Sequence, residues 1–400
     1  MTTADPRPRR LRRALGDPRA ALAVYLLLAA GAALQAYLAP NAKVGWSNYN
    51  NFEIFRDAFH RLVRGEGLYA LHPGGPADLF KYSPTFALLF APYALLPLLP
   101  AMIAWNATNA LVLWLGLARF PFPGARARTA ALWLCALEQW GAHQHFQTNA
   151  LLAGLVLLAF GWLERGGRVR AAAAILLTVF TKLFGAVAFA LYAFQPRKAR
   201  LALSTLAVAA GLAALPLVAV GPARLAGHYA EWVALLRADH GASLGYSVMG
   251  VLHAWLGWDP PKGAVVAAGA LAMALPFALR RDRYGEAAFR ARALAGLLLW
   301  AVVFNHKAEG PTFVIAMAGV AVWWGAEERR GPLDAALLAL AFVFVSLAPT
   351  EVFPRAFRTG VVPRYAVKAL PCIAIWLRCL GELLGPARVM SVPRGNIAGA

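Results

Sequence analysis

The chain has 400 residues, of which 60% are hydrophobic and 14% charged, and a formal net charge of +20. Soluble domains carry roughly 25% charged residues, so this composition excludes a water-soluble globular enzyme and makes the bilayer the solvent for most of the chain. The positive charge would suit nucleic acid, but the Lys and Arg residues punctuate apolar runs instead of forming one basic face and no reading motif is present, so no nucleic-acid partner is expected.

In chain order, residues 1–19 form a basic N-terminus carrying Arg7, Arg9, Arg10, Arg12, Arg13 and Arg19. The apolar run from Ala20 to Leu38 then reads as a first span, with the N-terminus in the cytoplasm by the positive-inside rule. A polar and aromatic stretch, residues 41–83, forms the first external loop. Within it, apolar residues at 52, 55, 59, 62 and 63 follow a helical period, which predicts an amphipathic helix lying in the membrane interface. Residues 84–96 are too few for a span of ~20 residues and are bracketed by prolines, so a re-entrant or interfacial helix is expected there.

Further spans are predicted over 101–118, 129–142, 149–163, 171–181, 183–194, 201–220, 263–279, 293–304, 311–326, 333–349 and 366–384. Segments 171–181 and 183–194 are flanked by arginine clusters at both outer ends, so they form a hairpin turning at Lys182. The second long external loop covers 221–262, and residues 385–400 form a cytoplasmic tail. The expected fold class is all-α, a polytopic membrane protein with about 12 transmembrane helices in a single domain over 20–384.

On this map the eight histidines, His60, His72, His143, His145, His228, His240, His253 and His306, all fall on the extracytoplasmic side. Histidine takes no part in the rule that oriented the chain, so this asymmetry points to a polar site on that face. The alternative is that external loops are longer and interfaces tolerate histidine. Cys135, Cys372 and Cys379 lie inside apolar runs without metal or disulfide spacing and read as packing residues.

Candidate site residues follow from the cost of placing polar groups at a membrane boundary. Asn50, Asn51 and Glu53 open the amphipathic helix at headgroup height. Lys81 and Tyr82 precede Ser83-Pro84, where a helix N-terminus favours anions. His143 and His145 with Asn149 form an external turn; two histidines without a carboxylate make no metal site, and none is predicted. Lys182, between two apolar helices, suits a phosphate counter-charge, with snorkelling to the headgroups as the plainer alternative. Asp239 and His240 offer an acid/base pair in the second loop. Asn305, His306, Lys307 and Glu309 form the densest cluster, and on a helical turn His306 and Glu309 would pair as acid and base.

At these residues the sequence resembles glycosyltransferase family 87, the domain of unknown function 2029 family of polyprenol-phosphate-dependent sugar transferases. The strings that carry the resemblance are YNNFEIFRDAFHRLVRGEGLY (49–69), FKYSPTFALLFAPYALLP (80–97), WNATNALVLW (105–114), TKLFG (181–185) and FNHKAEGPTF (304–313). The resemblance implies a GT-C architecture with an amphipathic helix in the first external loop. It further implies an extracytoplasmic active site that takes a sugar from a polyprenyl phosphate, with no other cofactor. It implies a loop aspartate as general base, but that position here is Asn51, and an amide cannot accept a proton as a base. Glu53, Glu309 and Asp239, in that order, are the carboxylates expected to replace it, with His306 beside them. Asn50, Asn51, Lys81, Tyr82, His143, His145, Asn149, Lys182, His240, Asn305 and Lys307 are the expected substrate-binding residues.

The function expected is therefore a plasma-membrane hexosyltransferase or mannosyltransferase-like enzyme of the cell envelope, with a lipid-linked sugar donor and a lipid or glycan acceptor. A non-catalytic membrane component, or a transporter of lipid-linked sugars, is the competing reading, with Asn51 as its main support. Transporters place ionisable groups near the midplane in related halves; here Glu138 is the one intramembrane carboxylate noted and the other polar groups gather on one face. The sequence specifies neither the sugar, the acceptor, a metal requirement nor the oligomeric state.

Overall fold

The computed structural model describes residues 15–40, 46–72, 74–239, 241 and 243–386. The regular elements in these segments are helices. Helix α1 (Pro18–Leu38) starts where the Asp17 side chain accepts from the Arg19 amide and Pro18 takes the first helical position, where a missing N–H costs nothing. Helix α2 (Asn50–Arg64) ends at Gly65. The expected single helix over 84–96 is instead two short pieces, α3 (Pro84–Leu89) and α4 (Ala91–Ala94). Pro92 supplies no amide to continue α3, so the backbone breaks at Phe90.

The chain continues through α5 (Leu98–Arg119), α6 (Ala125–Gln144), α7 (Asn149–Glu164) and α8 (Arg168–Thr181). At Lys182 the backbone becomes extended, and a 3₁₀ segment, Leu183–Phe194, packs back along α8. Next come α9 (Lys198–Ala214), α10 (Pro222–Ala238), α11 (Val248–Leu256), α12 (Lys262–Leu279), α13 (Ala287–Val303), α14 (Phe313–Gly325), α15 (Pro332–Ala341) and α16 (Ala369–Leu384). Helices α10 and α11 occupy the stretch expected to be a long external loop.

Four helices among the described residues are long and apolar enough to cross a membrane: Pro18–Leu38, Leu98–Arg119, Lys198–Val218 and Lys262–Leu279. Shorter apolar helices lie at Asn149–Glu164, Gly185–Phe194, Gly310–Gly325 and Pro332–Leu347. The chain is a multi-pass, all-helical membrane protein.

Its main core joins α1, α5, α6 and α7 to α13, α14 and α16. Helices α5 and α7 approach closely at Gly116 and Gly154. A Cβ on Gly154 would collide with the Val112 carbonyl, so this crossing requires bare backbone, as small residues permit in membrane helices. Gly154→Val is expected to lower the thermal midpoint in detergent or to prevent accumulation of folded protein, since overpacking a tight contact typically costs about 1–3 kcal/mol or more. Gly211→Val on α9, where a Cβ meets nothing within 4 Å, serves as the control and should leave the melting curve unchanged.

A second core seats α2 on α3 and α4. The Phe55 ring meets Tyr82, Phe86, Phe90 and Trp105 edge-on, with centroids 4.8, 5.1, 5.5 and 5.9 Å away; each such pair adds about 0.5–1.5 kcal/mol beyond burial. The apolar stripe of α2 is thus covered by protein at Phe52, Phe55, Phe59 and Leu62, while Val63 is exposed.

At one end of the bundle, Arg292, Arg330 and Arg378 interlock with Glu327, Asp334 and Glu382. Arg330 Nη1 lies 2.9 Å from Glu382, Arg378 Nε 2.8 Å from Asp334, and Arg292 pairs with Glu327. Arg292 sits near the start of α13, and the turn that follows the helix belongs to the opposite end, about 18 Å along the axis at 1.5 Å per residue.

Candidate active site

At that opposite end, residues 80–85 form a ledge clamped by four other elements. The Lys81 carbonyl accepts from the Trp232 indole at 3.2 Å, and the Tyr82 carbonyl from the Tyr69 hydroxyl at 3.0 Å. Ser83 Oγ donates to the Phe180 carbonyl at 2.5 Å and Thr85 Oγ1 to the Leu212 carbonyl at 2.8 Å. This explains the two unforeseen helices in part: α10 carries Trp232 and Tyr229, and Tyr229 bonds Thr85 at 2.8 Å.

Lys182 lies beside the ledge. Its Nζ donates to Gln147 Oε1 at 2.9 Å and Asn149 Oδ1 at 3.0 Å, 5.8 Å from the centre of the Tyr82 ring. Burial pushes the ammonium down to about 8, with the Glu309 carboxylate opposing that shift. Tyr82 and His145 also feel the Glu309 charge, so Lys182, Tyr82 and His145 all lie within electrostatic reach of Glu309. Asn51 is tied to its rim, donating to the His145 carbonyl at 2.8 Å.

A second focus adjoins the first through the neighbouring residues Lys81 and Lys307. Asp239 is paired with Lys307, whose Nζ also donates to the Asp239 carbonyl at 2.7 Å, and Lys81 Nζ stands 3.8 Å from the same carboxylate. The turn 305–308 is pinned against the loop that follows Asp239: Tyr246 N donates to the Ala308 carbonyl at 2.9 Å. Gly245 makes this docking with φ +56 and no room for a Cβ beside the carbonyls of His306 and Ala308, two demands that only glycine meets without strain. Lys262 holds the loop from its other side, donating to the carbonyls of Gly241 at 2.7 Å and Ser243 at 2.9 Å.

Partial burial raises the Asp239 carboxyl, but the hydrogen bond from Lys307 and the charges of Lys81, Lys307 and His306 outweigh it and hold the group below the ordinary aspartate range. A depressed carboxyl stabilises the fold above its unfolded value and loses that contribution as pH falls through the folded one. Asp239→Asn is therefore expected to speed amide exchange over 243–247 at neutral pH. The wild type should show the same acceleration, corrected for intrinsic rates, only below about pH 4.

Among the expected site residues, Lys81, Tyr82, His145, Asn149, Lys182, His306, Lys307, Glu309, Asp239 and Asn51 are brought to this end of the bundle and share contacts or electrostatic reach. The others serve local roles. Glu53 accepts from Ser47 Oγ at 2.5 Å, and no hydrogen bond or ion pair joins it to the lysines among the described residues. Asn50 is buried and accepts from the Ala77 amide at 3.0 Å. His143 is buried in α6 beside Gln139 at 3.2 Å. Asn305 accepts from the Lys307 amide at 2.9 Å, closing the turn. Because 304–309 is a turn and not a helix, the expected helical pairing of His306 with Glu309 does not apply; His306 acts on Asp239. His240 lies outside the described residues. No three His, Cys, Asp or Glu side chains among the described residues converge as metal ligands would.

Two further features were not singled out from the sequence. Lys368 reaches into this end of the bundle and pairs with Glu138. It stands just inside a predicted span, so the argument that selected Lys182 applies to it equally. In addition, Phe146 and Ala366 have φ of +51 and +47, the non-glycine residues with positive φ among those described. Each costs on the order of 1–3 kcal/mol and persists only where surroundings impose it; one sits in the turn carrying His145 and Gln147, the other two residues before Lys368.

A bundle of apolar helices with lysines, carboxylates and amides gathered at one end defines a multi-pass membrane protein with a polar cluster at that end. The profile of glycosyltransferase family 87 matches residues 80–305, more than half of the chain, and the chain belongs to that family. The matched region holds the ledge, the Lys182 break and Asp239. The crystal structure of ArnT from Cupriavidus metallidurans bound to undecaprenyl phosphate is similar at 16% identity and a TM-score of 0.41, over 91% of this chain and 76% of that one. No curated protein matches the chain.

Proposed function

We propose that this member of glycosyltransferase family 87 moves a hexose from a polyprenyl phosphate to a lipid or glycan acceptor outside the cytoplasm. The observation that supports this reading is a buried ammonium, Lys182, at the bundle end within electrostatic reach of the Glu309 carboxylate. Transfer from a phosphate-linked sugar needs both. A cation stabilises charge developing on the departing phosphate, and a base accepts the proton of the acceptor hydroxyl as its oxygen attacks the anomeric carbon. The C1–O bond to the polyprenyl phosphate breaks as the new glycosidic bond forms, and the proton passes to Glu309.

Lys81 and Lys307, both paired with Asp239, form a second cluster of charge at this end of the bundle. An apolar groove of about 670 Å³, lined by residues including Trp255, Phe344, Phe357, Val361 and Val367, suits an isoprenoid chain. The π-helical stretches Phe342–Leu347 and Phe357–Val361 both contribute to it, and such distortions recur at functional sites. In the topology that accompanies this reading, about twelve segments cross the plasma membrane with the N-terminus inside. Helix α2 then lies along the outer surface.

The reading is tested by incubating the purified protein with a panel of radiolabelled short-chain polyprenyl phosphate sugars and membrane extract. Labelled product from at least one donor is the expected result. Donor binding without product from any of them would favour the second reading, a non-catalytic or transport component, for which Asn51 at the expected aspartate position is the specific observation.

A further inference from the structure

Lys368 and Glu138 are buried, at 4% and 5% exposure, and the Lys368 charge is felt at His145, as that of Glu309 is. Lys368 Nζ lies 3.2 and 3.1 Å from the two Glu138 oxygens and 3.3 Å from the Gly310 carbonyl, over the Phe313 ring at 5.1 Å. An ammonium has three protons and no acceptor capacity, so these contacts occupy it. Stability alone does not account for such a pair. Two buried charges lose hydration that their attraction barely repays, and well-packed apolar residues often do as well or better. The chain also accepts a left-handed Ala366 two residues before the lysine.

What the pair reaches is specific. Gly310 directly follows Glu309, and Lys368 is the side chain from another element that hydrogen-bonds its carbonyl. On the other side of Glu309, the Ala308 carbonyl is held by the Tyr246 amide at 2.9 Å. The backbone carrying Glu309 is therefore fixed before and after by bonds from α16's entry and from the loop that precedes α11.

We propose that the Glu138–Lys368 pair is a positioning device: it fixes the Gly310 carbonyl and thereby sets where the Glu309 carboxylate stands relative to Lys182 and the acceptor. Glu138 orients the ammonium, and Phe313 closes the space beneath it. Neither residue touches substrate. This inference rests on the reading of Glu309 as the base.

The test replaces both charges together, Glu138→Leu with Lys368→Met, so that no unpaired charge is left inside the bundle. The expected result is a protein that melts near the wild-type temperature, with kcat lowered about 10- to 100-fold and KM for the donor within about twofold, since small misplacements of a reacting group act on the rate. In a Glu309→Gln background the same pair of changes should add no further loss. Unchanged kcat per folded molecule, or a full additional loss on top of Glu309→Gln, would overturn the proposal. If the wild type transfers sugar from no donor, the transferase reading fails by itself, and amide exchange then decides the clamp. Faster exchange over 309–313 in the double variant upholds it, and unchanged exchange overturns it.

Discussion

Lys182→Met is expected to abolish detectable sugar transfer and to weaken binding of a polyprenyl phosphate sugar by about 10- to 100-fold, the loss of one charge-assisted contact at about 1.5–3 kcal/mol. Methionine keeps the length and apolar stem, so the ledge and the amides of Gln147 and Asn149 should remain in place and the protein should still fold. The pH dependence sharpens the expectation. Burial brings the Lys182 ammonium down to about 8; the charge that holds an anionic donor is present below that value and is lost as pH rises through it. The plot of kcat/KM, which reports the free enzyme, should therefore fall on its alkaline side near pH 8. Lys182→Arg should move that limb upward, because guanidinium stays charged. An alkaline limb unmoved by arginine would assign the titration to another group and remove Lys182 from the donor site.

Glu309→Gln is the second large expectation: kcat lowered by about 10²- to 10⁴-fold, the usual worth of a positioned general base, with KM for the donor little changed. Glutamine fills the same volume and keeps hydrogen-bonding capacity but takes up no proton. Glu53→Gln and Asp239→Asn are expected to cost far less. Glu53 has its partner in Ser47, and Asp239 is engaged by Lys307 and Lys81. Single-turnover transfer with the three variants would order them. Should Glu53→Gln be inactive while Glu309→Gln transfers normally, the base lies on α2 and the sequence-based order of preference stands.

Much of the helical layout was legible because each boundary has a local chemical cause. Asp17-Pro18 and Ser83-Pro84 start helices by capping and fixed φ, and the lysine at 182, isolated among apolar residues, marks a true break. The polar end of the bundle was legible for a related reason. Charged and amide side chains at the edges of apolar runs are expensive, so they stand out. What escaped depends on contacts distant in sequence. Helices α10 and α11 looked like loop for different reasons: α10 mixes polar residues with the apolar ones and seats Trp232 and Tyr229 on the 80–85 ledge, while α11, though apolar, is only nine residues long. Lys368 passed as an end-of-span residue because its partner lies 230 positions earlier. The order of preference among Glu53, Glu309 and Asp239 could not be refined from spacing; the hydrogen bonds and ion pairs that occupy Glu53 and Asp239 appear only in three dimensions.

The interlocked arginines and carboxylates at the far end of the bundle bear on how the protein is made. Helices enter the membrane in order of synthesis, and Arg292 on α13 is inserted long before Glu382 on α16 exists. Arg330 likewise waits for Glu382, and Asp334 for Arg378. Until the last helix arrives, these groups must stay near water or pair incompletely, because a lone charge in the bilayer interior is expensive. The final helix thus acts as a keystone in biogenesis. A chain halted before residue 369 should remain a target for membrane quality control even though every residue of its polar face, Lys368 included, has already been made.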